Sequence, residues 1–490
     1  MKRITKDSAV TFVELPATQF GILDGEPSHD EYSQFRLPGR AVHALEGVLR
    51  AEGWMNVRTI IPVYHGRNGR LSQENRRRIW KSDVLGISPI LRTTPQSMAL
   101  AREYKRGNPD GLVVVGGPAA TFGLAPWLEV ADIVVMGEGE RTLSELMGRL
   151  LKNESVDDVA GIALKKGKEI VVTNRRALMT AQELSRLPHP YYDWGTRAKV
   201  GLGVVETSRG CPHDCVFCSV TEFYGGKYRT KSVEYVLEEL RRVQGMGRVV
   251  FYVDDNLFGN PQRSVELLEA IADRGLNKTP GTVQLTVKAA DHPRYLDALR
   301  RAGIHYICLG LESMVDETLV GYGKAYTARQ NREAVRTFRE HGFWVHGMMM
   351  PGGDGDTPET LKAQSEWIND NLDSVELFPP TPYQGTRFHN RMKEEGRLLT
   401  SDLSLYDAQH VVFRPRNFTP LELQETIHRM YESFYSPKLM VKRLIRGARK
   451  SAGHLSSTFL IHAYVILKGF RTVLYDPQSV KHLEFLKSVS

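Results

Sequence analysis

The sequence predicts an α/β protein: a Rossmann-like unit, then a partial (β/α)6 TIM-type barrel, then a helical C-terminal region. Three observations carry this expectation. Over the first ~150 residues short β-branched runs alternate with amphipathic helical stretches, the pattern of a parallel sheet wrapped by helices. The same alternation restarts near residue 199 and supplies six further strand candidates, while from about Leu399 onward the pattern is helical and without repeats. The composition fits: 490 residues with 41% hydrophobic, 25% charged and 9% aromatic residues exclude collagen-like, low-complexity and wholly disordered chains. At roughly 100–200 residues per domain the length suits two to four domains.

In the first unit the strand candidates are Val10–Leu15, Val57–Val63, Val84–Ser88, Leu112–Val115 and Ile133–Met136. Between the first two, Val42, Leu45, Val48 and Leu49 recur at helical spacing within Arg40–Glu52. The last helix of the unit opens with Thr142-Leu-Ser-Glu145, the spacing of a capping box. These elements place a first domain at 1–151. Residues 152–198 read as a linker built on a hairpin, with Lys166-Gly-Lys168 between two alternating runs and the turn Pro188-His-Pro190 after it. The second unit, 199–398, has strand candidates Gly203–Thr207, Val249–Val253, Val283–Val287, Tyr306–Leu311, Trp344–Met350 and Ser374–Phe378, most of them separated by a helix such as Val233–Val243 or Thr327–His341. In such a barrel, chemistry belongs in the loops after the carboxyl ends of the strands. Residues 399–490 form the helical remainder.

Lys plus Arg (65) exceed Asp plus Glu (57) by 8. Six of those charges, Lys438, Lys442, Arg443, Arg446, Arg449 and Lys450, lie in the acid-free segment Ser436–Lys450, so the rest of the chain is near balance and no nucleic-acid partner is expected. Six cations ahead of the mostly apolar Phe459–Leu474 suit an anionic interface, which makes 436–474 a candidate for peripheral contact with the inner face of a membrane; the competing reading is a terminal helix that packs on the barrel with its lysines solvated. No apolar run reaches the ~20 residues of a bilayer span. Four cysteines cannot build a disulfide framework, and Met1–Val10 shows no basic-then-apolar leader, so a reducing, cytoplasmic setting is expected.

The most informative segment is Arg209-Gly-Cys211-Pro-His-Asp-Cys215-Val-Phe217-Cys218, in the loop after the first barrel strand. Three of the four cysteines fall within eight positions. Thiolates at spacings of four and three can converge from one compact loop, and soft sulfur suits iron–sulfur or zinc. A closed tetrahedral zinc site would need a fourth ligand, for which His213 and Cys308 are poor suppliers.

The CxxxCxΦC spacing, with aromatic Phe217 before the last cysteine and a β/α barrel behind it, resembles the radical S-adenosylmethionine (SAM) superfamily. The resemblance implies that Cys211, Cys215 and Cys218 hold a [4Fe-4S] cluster with one iron left open, that SAM chelates that iron, and that an electron from the reduced cluster then releases a 5′-deoxyadenosyl radical. It implies further contacts by place. Asp254-Asp255 after the second strand stand where the family binds the methionine amino end, although the usual glycine pair and glutamate are replaced. Gly310-Leu-Glu312-Ser313 after the fourth strand is similar to the ribose-contacting segment, and Met350-Pro-Gly-Gly353 and Thr381-Pro-Tyr-Gln-Gly385-Thr386 resemble segments at the adenine and substrate end. Lys288, after the third strand, is a candidate cation for a carboxylate. Cys308 reads as a core residue.

In the first unit, Val115-Gly116-Gly117-Pro118 and Gly137-Glu138-Gly139-Glu140 put glycine-rich loops at the carboxyl edge of the sheet, with Ser88, Thr93 and Thr94 in the corresponding loop after the third strand. Joined to a radical SAM barrel, this arrangement resembles the cobalamin-dependent branch of the superfamily, over roughly residues 8–400. The D-x-H-x-x-G pattern that donates a histidine to cobalt is absent from the sequence, and His29 lies in the first loop without its partners, so the lower cobalt position is expected to hold water or nothing.

The function this implies is methylation of an unactivated carbon on a small, hydrophobic or lipid-like substrate, with a reductase or a flavodoxin- or ferredoxin-type electron donor. The alternative within the branch is a cyclase or rearrangement enzyme that uses cobalamin without methyl transfer. A methylthiotransferase would need a second three-cysteine cluster, which four cysteines cannot supply. A zinc-binding nucleic-acid module would need further ligands and a basic, aromatic face.

Overall fold

A computed structural model describes residues 3–17, 36–65, 70–167, 169–450 and 477–490. The chain divides into two compact units, Met1–Gly201 and Leu202–Ser490.

The strands of the first unit are β1 (Val10–Val13), β2 (Val57–Ile60), β3 (Val84–Ile87), β4 (Leu112–Val115), β5 (Ile133–Val135), β6 (Ile162–Lys166) and β7 (Glu169–Val172). They form one sheet in the order β2-β1-β3-β4-β5-β6-β7. β1 to β5 are parallel, and every residue of β1, β3, β4 and β5 is buried, as expected of strands covered by helices on both faces. The core on one face gathers Val13, Leu85, Val113, Val115 and Val134 with Tyr104 and Trp127. The strand order reverses at β1, which pairs with both β2 and β3; that reversal opens a crevice at the carboxyl edge.

Two expectations change here. The hairpin read as a linker is part of this sheet: β6 pairs antiparallel with β5 (Ile133↔Leu164), and β7 with β6. It covers what would otherwise be the open edge of β5. The capping box also fails, because the helix Gly139–Lys152 starts three residues before Thr142. Thr142 is therefore already helical, its hydroxyl accepting from Arg176 Nε at 3.0 Å, and Glu145 pairs with Arg149 and Arg176 instead.

The second unit contains β8 (Leu202–Val205), β9 (Ser208–Arg209), β10 (Arg229–Thr230), β11 (Val249–Tyr252), β12 (Gly281–Leu285), β13 (Ile304–Glu312), β14 (Trp344–Met349) and β15 (Ser374–Leu377). Six of these form a fully parallel sheet, β15-β14-β13-β12-β11-β8, with helices in the crossovers, and β9 and β10 make a short antiparallel ladder. On the face toward the helices, Val283, Leu285, Ile307, Leu309, Val345 and Leu377 are buried. Alternate residues on the other face, Thr282, Gln284, Cys308, Gly310, His346, Met348 and Glu376, keep partial exposure. Period-two alternation thus gives one packed face and one open, largely polar lumen.

In the C-terminal region the helix Pro420–Phe434 carries the capping box Thr419/Glu422, and Pro437–Lys450 follows it. Half of the basic segment is used inside the fold. Lys442 pairs with Asp370 at 3.0 Å, Arg446 donates to the Asp370 and Leu372 carbonyls and pairs with Asp373 at 2.8 Å, and Arg443 donates to the Asn369 carbonyl. The Arg443 guanidinium lies 3.4 Å from the centre of the Phe434 ring. These cations satisfy carbonyls at the C-terminal end of the helix Pro358–Asn371, where orphan acceptors and the helix dipole favour positive charge. The apolar stretch Phe459–Leu474 and His29 lie outside the described residues. No helix among the described residues is long and apolar enough to cross a membrane.

Replacing Arg443, 1% exposed, with alanine should therefore cost about 2 kcal/mol in chemical denaturation, because a buried cation–ring contact and its carbonyl bonds go together. Lys438→Ala, at an exposed position, should stay within about 0.5 kcal/mol.

Candidate active site

The three clustered cysteines follow the short ladder β9–β10, which turns the chain out of β8 and back. Gly210 makes the turn at φ +86°, and a Cβ there would stand 2.0 Å from the Lys227 carbonyl oxygen, so only glycine fits. Cys215 is buried and Cys211 and Cys218 half-buried, all with free thiols. The Cys218 amide donates to the Cys215 carbonyl at 3.2 Å, tightening the loop, and Cys218 leads into the helix Ser219–Tyr224. The back of the loop is clamped: the Val216 amide donates to the Tyr322 carbonyl (3.1 Å), the Val216 carbonyl accepts from the Phe388 amide (2.9 Å), and Phe217 meets Tyr322 edge-on at 5.4 Å.

Burial pushes the Cys211 thiol up to about 11, with the other two thiols and Asp255 adding to the rise, and Cys215 and Cys218 also move up through burial. Three crowded thiols in one pocket are poor anions until a cationic centre joins them, so the donor set fits a metal cluster. Among the described residues no three His, Cys, Asp or Glu side chains surround a single ion, as mononuclear zinc requires. Three thiolates serving three different irons need no such common point.

Two carboxylates on the loop after β11 hold the cysteine loop, and they do different work. Asp254 is fully buried and accepts from the Thr207 amide (3.1 Å), the Thr207 hydroxyl (3.0 Å) and the Ser208 hydroxyl. Its oxygens are committed to the exit of β8, so it does not present itself to a ligand. Asp255 is open to solvent as a residue; it accepts from the Gly210 amide at 3.1 Å and acts electrostatically on Cys211 and Cys218. Desolvation pushes both carboxyls up to about 6. Below them lies a buried charge network that the sequence reading missed: Glu206 pairs with Lys231 at 2.7 Å and with Arg209 at 3.1 Å, and Lys231 reaches Glu239 at 3.7 Å. The charges in Glu206-Thr-Ser-Arg209 at a strand end were its only sequence signal.

Other expected contacts are redistributed. Glu312 ends β13 at φ +60°, is buried, and pairs with Lys324 at 2.5 Å, so its carboxylate is already engaged. Ser313 is fully buried in a polar knot with Asp356 and Gln364 and faces no opening. Met350 is buried; its amide donates to the Glu312 carbonyl at 2.6 Å and its carbonyl accepts from the Tyr322 hydroxyl at 2.9 Å. Lys288 is half-buried in the turn after β12 and makes no ion pair among the described residues. Cys308, read as core, instead faces the lumen: it is half-exposed, sits 3.8 Å from Thr282 Oγ1 and pairs in register with His346. His346 bonds Ser374 Oγ at 2.9 Å and lies 3.5 Å from Glu376. Alternation within β13 puts Cys308 on the side opposite Ile307 and Leu309, a parity readable from the strand alone.

In the first unit, Ser88, Gly116, Gly117, Pro118 and Gly137 stand at the carboxyl edge of β3, β4 and β5. Gly117 has φ +91°, and a Cβ on it would come within 3.3 Å of Ser88 Oγ; Gly137 has φ +77° with nothing within 4 Å of a Cβ position. Backbone can approach a flat ligand along this edge, since neither glycine presents a side chain there. Thr93 and Glu138 are occupied elsewhere, the former bonded within its own turn to Ile90 and the latter accepting from the Met179 amide at 2.8 Å, and Gly139 begins a helix. The sequence reading missed Glu14, just past β1 at the order reversal, whose carboxyl burial pushes up to about 7.

A carboxyl whose folded pKa exceeds its unfolded value contributes stability that is fully present below the unfolded value, near 4.5, and is lost as pH rises through about 7. Glu14→Gln should therefore raise the melting temperature more at pH 8 than at pH 5, as measured by thermal denaturation of both proteins at each pH.

Comparison with known proteins agrees with both units. The Radical SAM superfamily profile matches residues 205–368, and the B12 binding domain profile matches residues 32–147. An uncharacterized methyltransferase, PH0819 of Pyrococcus horikoshii, is 29% identical over 407 residues, covering 80% of this chain and 84% of that protein. The hopanoid C-3 methylase of Methylococcus capsulatus is 31% identical over 69% of this chain, and the anaerobic magnesium-protoporphyrin IX monomethyl ester cyclase of Cereibacter sphaeroides is 27% identical over 74% of it; the chain spans 65% and 60% of those two proteins. The fold is shared with the radical SAM methyltransferase TsrM of Kitasatospora setae, solved with cobalamin and a [4Fe-4S] cluster, at a TM-score of 0.67 and 16% identity over 96% of this chain and all of that one. The radical SAM domain implies a [4Fe-4S] cluster and SAM, and the B12-binding domain implies cobalamin. The chain thus carries a B12-binding domain followed by a radical SAM domain, and its homologues support an enzyme of the radical SAM class.

Proposed function

We propose that this protein is a cobalamin-dependent radical SAM C-methyltransferase. The observation that carries the reading is the loop of three free thiols, Cys211, Cys215 and Cys218, that follows β8 and β9 in a radical SAM domain preceded by a B12-binding domain. When bound, the cluster with SAM supplies a deoxyadenosyl radical and cobalamin supplies a methyl group.

The roles of the residues follow from their surroundings. Cys211, Cys215 and Cys218 hold the cluster, and Phe217 shields its flank by packing on Tyr322. Asp255, the open member of the acidic pair, takes the ammonium of SAM, while Asp254 positions the loop through Thr207 and Ser208. Lys288 takes a carboxylate. Glu312 and Ser313 shape the turn after β13, and Met350 fixes the neighbouring loop through its backbone. Ser88, Gly116, Gly117, Pro118 and Gly137 receive cobalamin along the sheet edge. The substrate enters the lumen, where Gln284, Cys308, His346 and Ser374 form a polar band above the aromatic row of Phe251, Tyr306 and Trp344. That lining suits a largely apolar skeleton bearing a neutral hydrogen-bonding group, such as a hydroxyl or carbonyl. A small flavodoxin- or ferredoxin-type protein supplies the electron. The similarity to a magnesium-protoporphyrin cyclase supports a second reading, cyclisation without methyl transfer.

Each of Cys211→Ala, Cys215→Ala and Cys218→Ala should lose bound iron after anaerobic reconstitution and drop deoxyadenosine release by more than about 100-fold, since one missing thiolate leaves the cluster under-ligated. Cys308→Ala should keep both, and a triple variant with full iron overturns the assignment.

A methylase that draws its methyl group from SAM should also release S-adenosylhomocysteine, whereas a cyclase should release deoxyadenosine alone. Gly117→Phe should lose cobalamin and S-adenosylhomocysteine together, at least about tenfold, while deoxyadenosine formation persists, because a side chain at φ +91°, whose Cβ alone would stand 3.3 Å from Ser88 Oγ, obstructs the sheet edge. Deoxyadenosine without S-adenosylhomocysteine in the wild-type protein moves the assignment to the cyclase.

A further inference from the structure

We propose that the outer face shared by the helices Ala328–Glu340 and Pro437–Lys450 docks the protein on an anionic phospholipid bilayer. The inference depends on neither the cluster nor the reaction. Arg443 and Arg446 fasten the helix Pro437–Lys450 to the fold, whereas Lys438, Val441, Lys442 and Ile445, at spacings of three, four and seven, share an exposed face. Val441 is 55% exposed and Ile445 50%, so two β-branched apolar side chains one turn apart stand in water between lysines. The pairing of Lys442 with Asp370 joins two exposed side chains and holds weakly, so this lysine can turn to another anion.

Beside this face lies a cleft of about 600 Å³, lined by Arg332, Arg336 and Arg339 of the helix Ala328–Glu340, by Arg446, and by the half-buried Trp367 of the helix Pro358–Asn371. Three acids line it as well. Asp373, 2% exposed, is committed to Arg446 at 2.8 Å and to the Val345 amide at 3.0 Å, Glu333 pairs with Arg329 at 3.2 Å, and Glu340 reaches Arg336 only at 4.0 Å. Arg332 and Arg339 make no side-chain hydrogen bond or ion pair among the described residues. Guanidinium groups bind phosphate through paired N–H donors, and a tryptophan beside them suits the depth of lipid head groups.

Apolar side chains between lysines, next to an arginine cleft, match a surface that offers many phosphates above an apolar layer. A protein partner would need about 800 Å² of complementary surface around an apolar centre, and two branched side chains are too little for one. The face also stands clear of the chemistry. Glu340 and Asn371 end helices that lead into the amino ends of β14 and β15, whereas the cysteine loop follows the carboxyl end of β8, which runs parallel to the strands of that sheet.

The test is flotation of the full-length protein with vesicles of phosphatidylcholine alone or with about 30% phosphatidylglycerol, at ~0.1 M and ~0.5 M salt. The wild type should float with the anionic vesicles at low salt at least about tenfold more than with the neutral ones, and lose most of that at high salt. Val441→Asp with Ile445→Asp, and Arg332→Glu with Arg336→Glu, all at exposed positions, should each cut flotation at least about fivefold at unchanged melting temperature. Loss in both variants supports the proposal. A wild type that ignores anionic vesicles overturns it, and so does full flotation by either variant, which places the contact elsewhere in the chain. Calorimetry with inorganic phosphate separates the two sources of the anion: heat from phosphate in a protein that does not float makes the cleft a free-phosphate site and overturns the bilayer.

Discussion

The site depends on how two adjacent carboxylates hold a loop that has no regular structure of its own. Asp254 gathers three donors at the exit of β8, and Asp255 takes the Gly210 amide one step further on. Both follow β11, which pairs in register with β8 from Val249↔Leu202 to Tyr252↔Val205. Strand pairing therefore fixes the carboxylates, and the carboxylates fix where the cysteines begin. The arrangement is costly, since desolvation pushes both carboxyls upward, and it holds because donors at the loop entrance satisfy them.

The chemistry grows from that anchoring. A loop held at its entrance by Asp254 and Asp255 and from behind by Tyr322 and Phe388 keeps three thiols together without regular structure to hold them. The buried network of Glu206, Arg209, Lys231 and Glu239 underlies the same turn, so charge balance extends from the strand ends to the thiols. On the other side the lumen keeps access to solvent, because Thr282, Gln284, Cys308, Gly310, His346, Met348 and Glu376 on alternate positions of β12 to β15 remain partly exposed.

Much of this was legible in the sequence, for specific reasons. Leu112–Val115 is all β-branched or leucine, and such a run has little choice but a buried parallel strand; the structure gives the same bounds. The cysteine spacing identified the loop because three thiols in eight residues have few bland explanations. What was not legible depended on partners distant in sequence. The hairpin at Ile162–Val172 reads the same whether it links two units or closes a sheet edge; only the pairing with β5 decides. Asp254 and Asp255 look alike as letters, and their difference comes from Thr207, some 47 residues away. Glu312 and Ser313 stand where a ribose contact was expected, yet Lys324 and the Asp356–Gln364 knot engage them first. Cys308 reads as core by its hydrophobicity, but alternation within β13 sets it on the open face, opposite Ile307 and Leu309.

The central claim is that three thiols hold a four-iron cluster and leave one iron for SAM. Mössbauer spectroscopy of the iron-57 reconstituted protein, before and after SAM is added, tests it most directly. The account predicts four irons per chain, of which one in four changes its spectrum on addition of SAM while the other three stay put. Four irons that do not respond to SAM, or a protein that takes up a single zinc in preference to iron, would contradict it.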